Sequence, residues 1–269
     1  MKWHVFGHRQ APAGPGVLRG RAAATVALGY PYGAGVTGPF HESVLGLQLY
    51  ELAKPRPLLA HRLPQSGLYI DHNRNAIAAK FMGIPARPEW LLQIDSDISF
   101  PPTLVETLLE LAGRERKILA ASVPLGPPLP SSAWMMTDQP GIWAGVPSEK
   151  ITAEGVPVDG LATAVILIHR DVLEAIADQV GQCWFLKMMV PRLDVPNSAA
   201  AWAEDGPVRA REYVAVGEDL AFCMRAKDAG FQSWCAKVPG LKHHKTLPMS
   251  HDFEEPEEQP RAMAAEGGA

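Results

Sequence analysis

The chain has 269 residues, 47% of them hydrophobic and 20% charged, the proportions of a folded globular protein rather than a disordered one. Its 25 basic and 29 acidic residues leave a net charge of −4, which excludes a surface built throughout for nucleic acid while leaving a local basic groove open. Cys183, Cys223 and Cys235 form no close-spaced pair, which argues against a disulfide framework or a zinc site and fits a reducing cytoplasm; no membrane span is expected, because the longest clean apolar run, Ala164 to Ile168, falls far short of the roughly 20 residues a bilayer requires.

Residues 1–22 read as a flexible leader rich in proline and glycine. Ala24 to Gly29 is a first strand closing in a Tyr30-Pro31-Tyr32-Gly33 loop. An amphipathic helix follows over 42–53, with Val44, Leu45, Leu49 and Leu52 near helical spacing. A strand at 58–62, a short helix at 73–82 and a strand at 90–94 come next. Pro101-Pro102 opens a helix that ends at Gly113, and 117–122 is another strand. Residues 124–147, dense in proline, read as a long irregular connection of the kind that is more often functional than idle. A buried strand at 163–168, a helix at 171–177, a helix at 218–229 stopped by Gly230, and a strand at 231–235 complete the series. Residues 251–269, with Glu254, Glu255, Glu257 and Glu258, read as a disordered acidic tail. Such alternation predicts one α/β domain over 23–250, built on a mixed, mostly parallel sheet flanked by helices.

Three polar clusters stand out of this frame. Asp95-Ser96-Asp97 ends the 90–94 strand, and alternation along a strand would put both carboxylates on one face at its carboxyl end, where open α/β sheets bind ligands. Paired carboxylates suit a hard divalent cation and the phosphates it carries. Gly217-Glu218-Asp219 opens the 218–229 helix, where acids also serve as plain partners of the helix dipole. His243-His244-Lys245 follows the last strand; adjacent histidines diverge, so one of the two at most would meet a metal.

Taken in order and spacing, these segments resemble the GT-A fold glycosyltransferases of the family 2-like group common in bacteria and phages. The similarity runs over about 23–247, through the Pro31 loop, Arg74-Asn75, the DXD-like Asp95-Ser96-Asp97 with Phe100-Pro101-Pro102 behind it, Asp159-Gly160, Gly217-Glu218-Asp219 and His243. The resemblance implies a metal-dependent, inverting transfer of a sugar from a UDP- or GDP-sugar to a hydroxyl acceptor, whether glycan, protein or modified DNA. Asp97 would bind Mn²⁺ or Mg²⁺ directly, Asp95 would sit nearer the ribose and reach the metal through water, and His243 would complete the protein ligands. Asp219 would be the general base, with Glu218 supporting it or touching the acceptor. Arg74 would contact phosphate, Pro31 and Tyr32 would hold the nucleobase, and Ser96, Asp159 and Gly160 would line the substrate site. Against the family's Gly-x-Gly-like turn after Asp159, this chain has Gly160-Leu161-Ala162-Thr163-Ala164, which implies a differently shaped acceptor floor. Residues 183–216 are the least family-like; their rings, Trp184, Phe185, Trp202 and Tyr213, either form an acceptor platform or cover the core. Two other readings stand beside this one: a DNA glycosyltransferase acting on a hydroxymethylated pyrimidine of a phage genome, and a catalytically inactive sugar-nucleotide-binding protein.

Overall fold

The computed structural model describes residues 25–123, 132–137, 143–191 and 213–244. The expected leader (1–22) and tail (251–269) lie outside the described residues.

Alternating apolar side chains build the central sheet. In strand β1 (Val26–Tyr32), Val26, Leu28 and Tyr30 turn to one face and Ala27 to the other. In β3 (Trp90–Ile94), Trp90, Leu92 and Ile94 share the first face and Leu91 the second. A sheet that is apolar on both faces must be covered on both. Helices α1 (Gly38–Leu52) and α3 (Leu104–Ala112) cover the first face, through Phe40, Val44, Leu104 and Leu108. Helices α2 (Ile70–Met82), α4 (Arg170–Val180) and α5 (Glu218–Asp228) cover the second, through Ile77, Phe81, Leu173 and Phe222. Each large apolar side chain so buried contributes about 1.5–3 kcal/mol.

With β2 (Leu59–Ser66), β5 (Ile118–Ala121), β8 (Val156–Val158), β10 (Val165–His169) and β13 (Ser233–Ala236), the sheet has seven strands in the order β2-β1-β3-β10-β5-β13-β8. All run one way except β10 and β8, so the expected mixed, mostly parallel α/β architecture is the one observed. From β1 the chain moves outward to β2 and then returns to β3 on the other side of β1. The crevice between the carboxyl ends of β1 and β3 is thus a topological switch point, where open α/β sheets take their ligands.

Several elements differ from the sequence expectation. Strand β1 continues through Pro31 to Tyr32; past Gly29 only β2 pairs with it, and a one-sided strand tolerates proline. Helix α1 starts at Gly38, capped by Thr37, whose Oγ1 accepts from Phe40 N at 3.4 Å. Helix α2 starts at Ile70 without a side-chain cap, so no sequence signal marks its beginning. The proline-rich stretch is not wholly irregular: β6 (Ala133–Met136) and β7 (Trp143–Gly145) pair as a hairpin, and β6 also pairs with β9 (Gly160–Leu161). β11 (Met188–Pro191) and β12 (Tyr213–Val216) pair as a two-stranded ribbon. The stop of α5 is as expected, with Phe231 N donating to Ala226 O and Gly230 N to Lys227 O. Cys183, Cys223 and Cys235 are free thiols, and no helix among the described residues is long and apolar enough to cross a membrane.

Candidate active site

At the switch point lies a cleft of about 580 Å³, walled by the β1–α1 loop (Pro31, Tyr32, Thr37) and the β2–α2 loop (Gly67, Asn73), with Asp95, Ser96 and Asp97 as its floor. Hydrogen bonds tie the three segments together. Thr37 donates to the Ser96 carbonyl through both its backbone N (3.0 Å) and its hydroxyl (3.2 Å). Gly67 N donates to Tyr32 O at 3.2 Å, and Asn73 Nδ2 donates to Gly67 O at 3.0 Å. A Cβ on Gly67 would stand 2.3 Å from Asn73 Oδ1, so any other residue here must displace the Asn73 side chain that ties this loop to α2.

The two aspartates do not share one strand face as expected, although both line the cleft. Strand β3 stops at Ile94, and Ile98 N donates to Asp95 O at 3.1 Å, which makes residues 95–98 a turn. Asp95 keeps the phase of Leu91 and Gln93 and faces α2, where Arg74 Nη2 donates to its Oδ1 at 2.8 Å. Asp97 is swung out by the turn and meets His243 Nε2 at 3.0 Å. Its neighbour His244 is engaged elsewhere, 2.7 Å from Ser99 Oγ, so the paired histidines divide as their opposite directions predict. This arrangement comes from β14 (Lys242–His243) pairing antiparallel with β4 (Ile98–Ser99).

Arg74, expected to reach phosphate, turns its guanidinium inward. The residue is only 2% exposed and does not line the cleft. Besides Asp95 it donates from Nη1 to Thr163 O at 2.9 Å, and its Nε lies 3.8 Å from Asp219 Oδ1. The reason is positional: Arg74 falls one turn into α2, on the side that packs against β1 and β3. Asp219 lies in the first turn of α5 and accepts a close hydrogen bond from the Thr163 hydroxyl. Burial, and then the charges of Asp219 and Asp97, raise the Asp95 pKa to about 6 against the opposing pull of Arg74. Burial also raises that of Glu218, with Asp219 adding to it. For Arg74, burial works against the charge, but Asp95, Asp219 and Glu218 outweigh it and push the pKa up.

Asp159 and Gly160 stand apart from this group. Asp159 takes Lys227 Nζ of α5 at 2.7 Å and Met136 N of β6 at 3.0 Å, so its carboxylate clamps the small sheet to α5. Gly160 lies where a Cβ would be 2.6 Å from Leu220 and 2.8 Å from Trp143, a packing position. The rings of Trp184 and Phe185 are fully buried; Trp184 Nε1 donates to Leu173 O at 2.7 Å and Phe185 stacks on Phe222 at 4.6 Å. Both therefore cover the core rather than offer an acceptor platform, while Trp202 and the Tyr213 side chain lie outside the described residues. Sequence reasoning missed Thr163, which no local motif marks, and Thr37, whose place before Gly38-Pro39 is an N-cap signal.

Among the described residues no group of three or more His, Cys, Asp or Glu side chains is arranged to hold a metal ion. At the cleft, Asp97 and His243 form a pair, while Asp95 Oδ1 is taken by Arg74.

No protein-family model and no curated protein matches the chain. Among solved structures it is similar to A197 from STIV, at 12% identity and a TM-score of 0.49 over 85% of this chain and 99% of that one. It is similar to a glycosyltransferase involved in the glycosylation of the major capsid of PBCV-1, at 14% identity and a TM-score of 0.33 over 56% and 62% of the two chains. A 4-diphosphocytidyl-2C-methyl-D-erythritol synthase from Anaerococcus prevotii DSM 20548 follows at 9% identity and 0.34, over 58% and 75%.

Proposed function

We propose that the protein is a GT-A-type glycosyltransferase that moves a sugar from a UDP- or GDP-sugar to a hydroxyl acceptor, with inversion. One observation carries this reading. Three carboxylates (Asp95, Glu218 and Asp219) act on one buried guanidinium, Arg74, and a fourth, Asp97, is near enough to Asp95 to repel its charge, all beside an open cleft at the switch point of the sheet. This excess of negative charge is unsuited to a diphosphate alone and well suited to a diphosphate that arrives with a divalent cation.

The donor chemistry fits Mg²⁺ or Mn²⁺. Asp97 Oδ2 and His243 Nε2 share a hydrogen bond of 3.0 Å; with its proton displaced, one carboxylate and one neutral imidazole would be the protein's donors to such an ion. These two would hold the ion, with Asp95 at its outer shell, and ligand oxygens and water would fill the remaining positions. Bound there, the cation would offset the charge that develops on the departing diphosphate. The wall of Pro31 and Tyr32 would take the nucleobase, and Asp95 the ribose.

In the transfer, the acceptor oxygen bonds to the anomeric carbon as the bond from that carbon to the diphosphate oxygen breaks. The hydroxyl proton goes to Asp219, which must come within about 2.6–3.2 Å of that oxygen. Thr163 fixes the orientation of this carboxylate through Oδ1. Glu218, its proton affinity raised by burial and then by Asp219, is suited to a hydrogen bond with a second acceptor hydroxyl.

Thermal-shift titrations with UDP- and GDP-sugars, each with Mn²⁺ or Mg²⁺, test the donor class; stabilisation that needs the cation is expected, and no shift with any of them would overturn the reading. Asp219→Asn should retain donor binding and lose transfer by a factor of at least about 100. Full transfer by that variant would remove Asp219 from the role of base.

A further inference from the structure

Arg74 stands between two carboxylates that the proposed reaction uses separately, and its three nitrogens face three different partners. Nη2 holds Asp95 at 2.8 Å, Nη1 holds the Thr163 carbonyl at 2.9 Å, and Nε points toward Asp219 Oδ1 at 3.8 Å. The last distance is too long for a hydrogen bond. Nε is buried and has no hydrogen-bond partner among the described residues. Buried donors are normally paired, and an orphan at a candidate active site calls for a reason.

Thr163 closes the unit. It is fully buried, its carbonyl accepts from Arg74 and its hydroxyl donates to Asp219 Oδ1, the same oxygen that Nε approaches. Asp95 lines the cleft while Asp219 stands at the start of α5, so the guanidinium links the nucleotide end of the site to its acceptor end. A ligand or cation engaging Asp95 from the cleft draws on the negative charge that now holds Nη2. The balance of attraction on the guanidinium then moves toward Asp219, and a shift of about 0.6 Å from the present 3.8 Å brings Nε–H into hydrogen-bond range.

We propose, resting on the transferase reading above, that Arg74 is a positioning residue: it sets the spacing of Asp95 and Asp219, and its Nε–H closes on Asp219 when the nucleotide site fills. A lysine at this position keeps the charge but cannot present three directed donors in one plane.

The test is a ¹H–¹⁵N spectrum resolving arginine Nε–H groups, with Mg²⁺ plus UDP or GDP as the probe and calorimetry to confirm occupancy. One Nε–H resonance, absent from Arg74→Lys, should move downfield when the nucleotide binds the wild-type protein and stay in place in Asp219→Ala, which has no acceptor there. In steady state, Arg74→Lys should lower kcat by about 100-fold, the scale of loss for an ångström-level misplacement, with the donor KM changed less than about threefold. A purely structural role would lower apparent kcat only in proportion to the folded fraction, with KM unchanged; counted per binding-competent molecule from the calorimetric stoichiometry, kcat of Arg74→Lys should still fall about 100-fold, and a normal kcat per competent molecule would overturn the role. Should Arg74→Lys not fold, the comparison of wild type with Asp219→Ala decides alone. If nucleotide binds and the resonance is unmoved, or moves equally in both proteins, the role of Arg74 falls and the transferase reading stands. If neither nucleotide binds the wild type, both fall.

Discussion

Gly67 shows how narrowly single residues define the cleft. Its carbonyl accepts from Asn73 and its amide donates to Tyr32 O, so it joins both walls. Alanine there would place a methyl 2.3 Å from Asn73 Oδ1. Overpacking of this kind costs about 1–3 kcal/mol, and for a chain of this size that lowers Tm by roughly 2–10 °C. Gly67→Ala should show this loss by calorimetry together with weaker nucleotide binding. In Gly67→Ala/Asn73→Ala the penalty should be well below the sum of the two single changes, because the clash is then gone; strict additivity would contradict the packing account. At this scale the sequence made the acidic residues and His243 legible, since their chemistry is carried by residue type. It did not make legible what they touch. Arg74 was expected to contact phosphate because nothing local marks it as buried, yet the packing of α2 buries it against Asp95. Asp159 looked like a substrate ligand, and only the fold reveals Lys227 and Met136 as its partners.

Elements carry their own devices, and α4 has a titratable one. His169 is its N-cap: Nδ1 accepts from Asp171 N at 3.2 Å and lies 3.2 Å from Lys117 Nζ, while the ring stands edge-on to Trp90 at 4.7 Å. Burial, and then the Lys117 charge, lower its pKa, with Asp171 pulling the other way. A histidine whose folded pKa is depressed takes up a proton more readily when the chain unfolds, so stability falls as pH drops below its unfolded value of about 6.5. Protonation also removes the lone pair that caps the helix. His169→Asn keeps a capping oxygen and does not titrate, so its Tm should fall less than that of the wild type between pH 7.5 and 5.5. Parallel Tm profiles would contradict this role. Helices with strong amphipathic spacing or proline and glycine punctuation, such as α3 and α5, could be read from sequence almost to their ends. The start of α2 could not, because Tyr69 caps nothing with its side chain. The β6–β7 hairpin was hidden because prolines around it dominate the composition, while the pairing itself depends on β9, far along the chain.

For the whole molecule, the order of the strands is what turns scattered polar residues into a site. Returning from β2 to β3 across β1 opens the crevice, the turn after β3 lifts Asp95 and Asp97 into it, and β14 brings His243 back from the far end of the chain. The antiparallel strand β10 leads out of Thr163 and Ala164, whose carbonyls accept from Arg74 and Asp95 N respectively, so the floor is fixed by the centre of the sheet. Alternating strands and helices predicted the layers of this architecture; the strand order, set by long-range pairing, was not in any local pattern. The central claim is that this crevice binds a nucleoside diphosphate through a cation held by Asp97 and His243. Isothermal calorimetry of UDP and GDP binding, with Mn²⁺ and again with excess chelator, tests it most directly in the wild type and in Asp97→Ala. Losing even an outer-shell partner of a metal costs roughly 10–100-fold in affinity. The account therefore predicts cation-dependent binding by the wild type to at least one of the two nucleotides, and a loss of at least about 100-fold in Asp97→Ala. Equal affinity with and without the cation, or an unchanged affinity in Asp97→Ala, would contradict it.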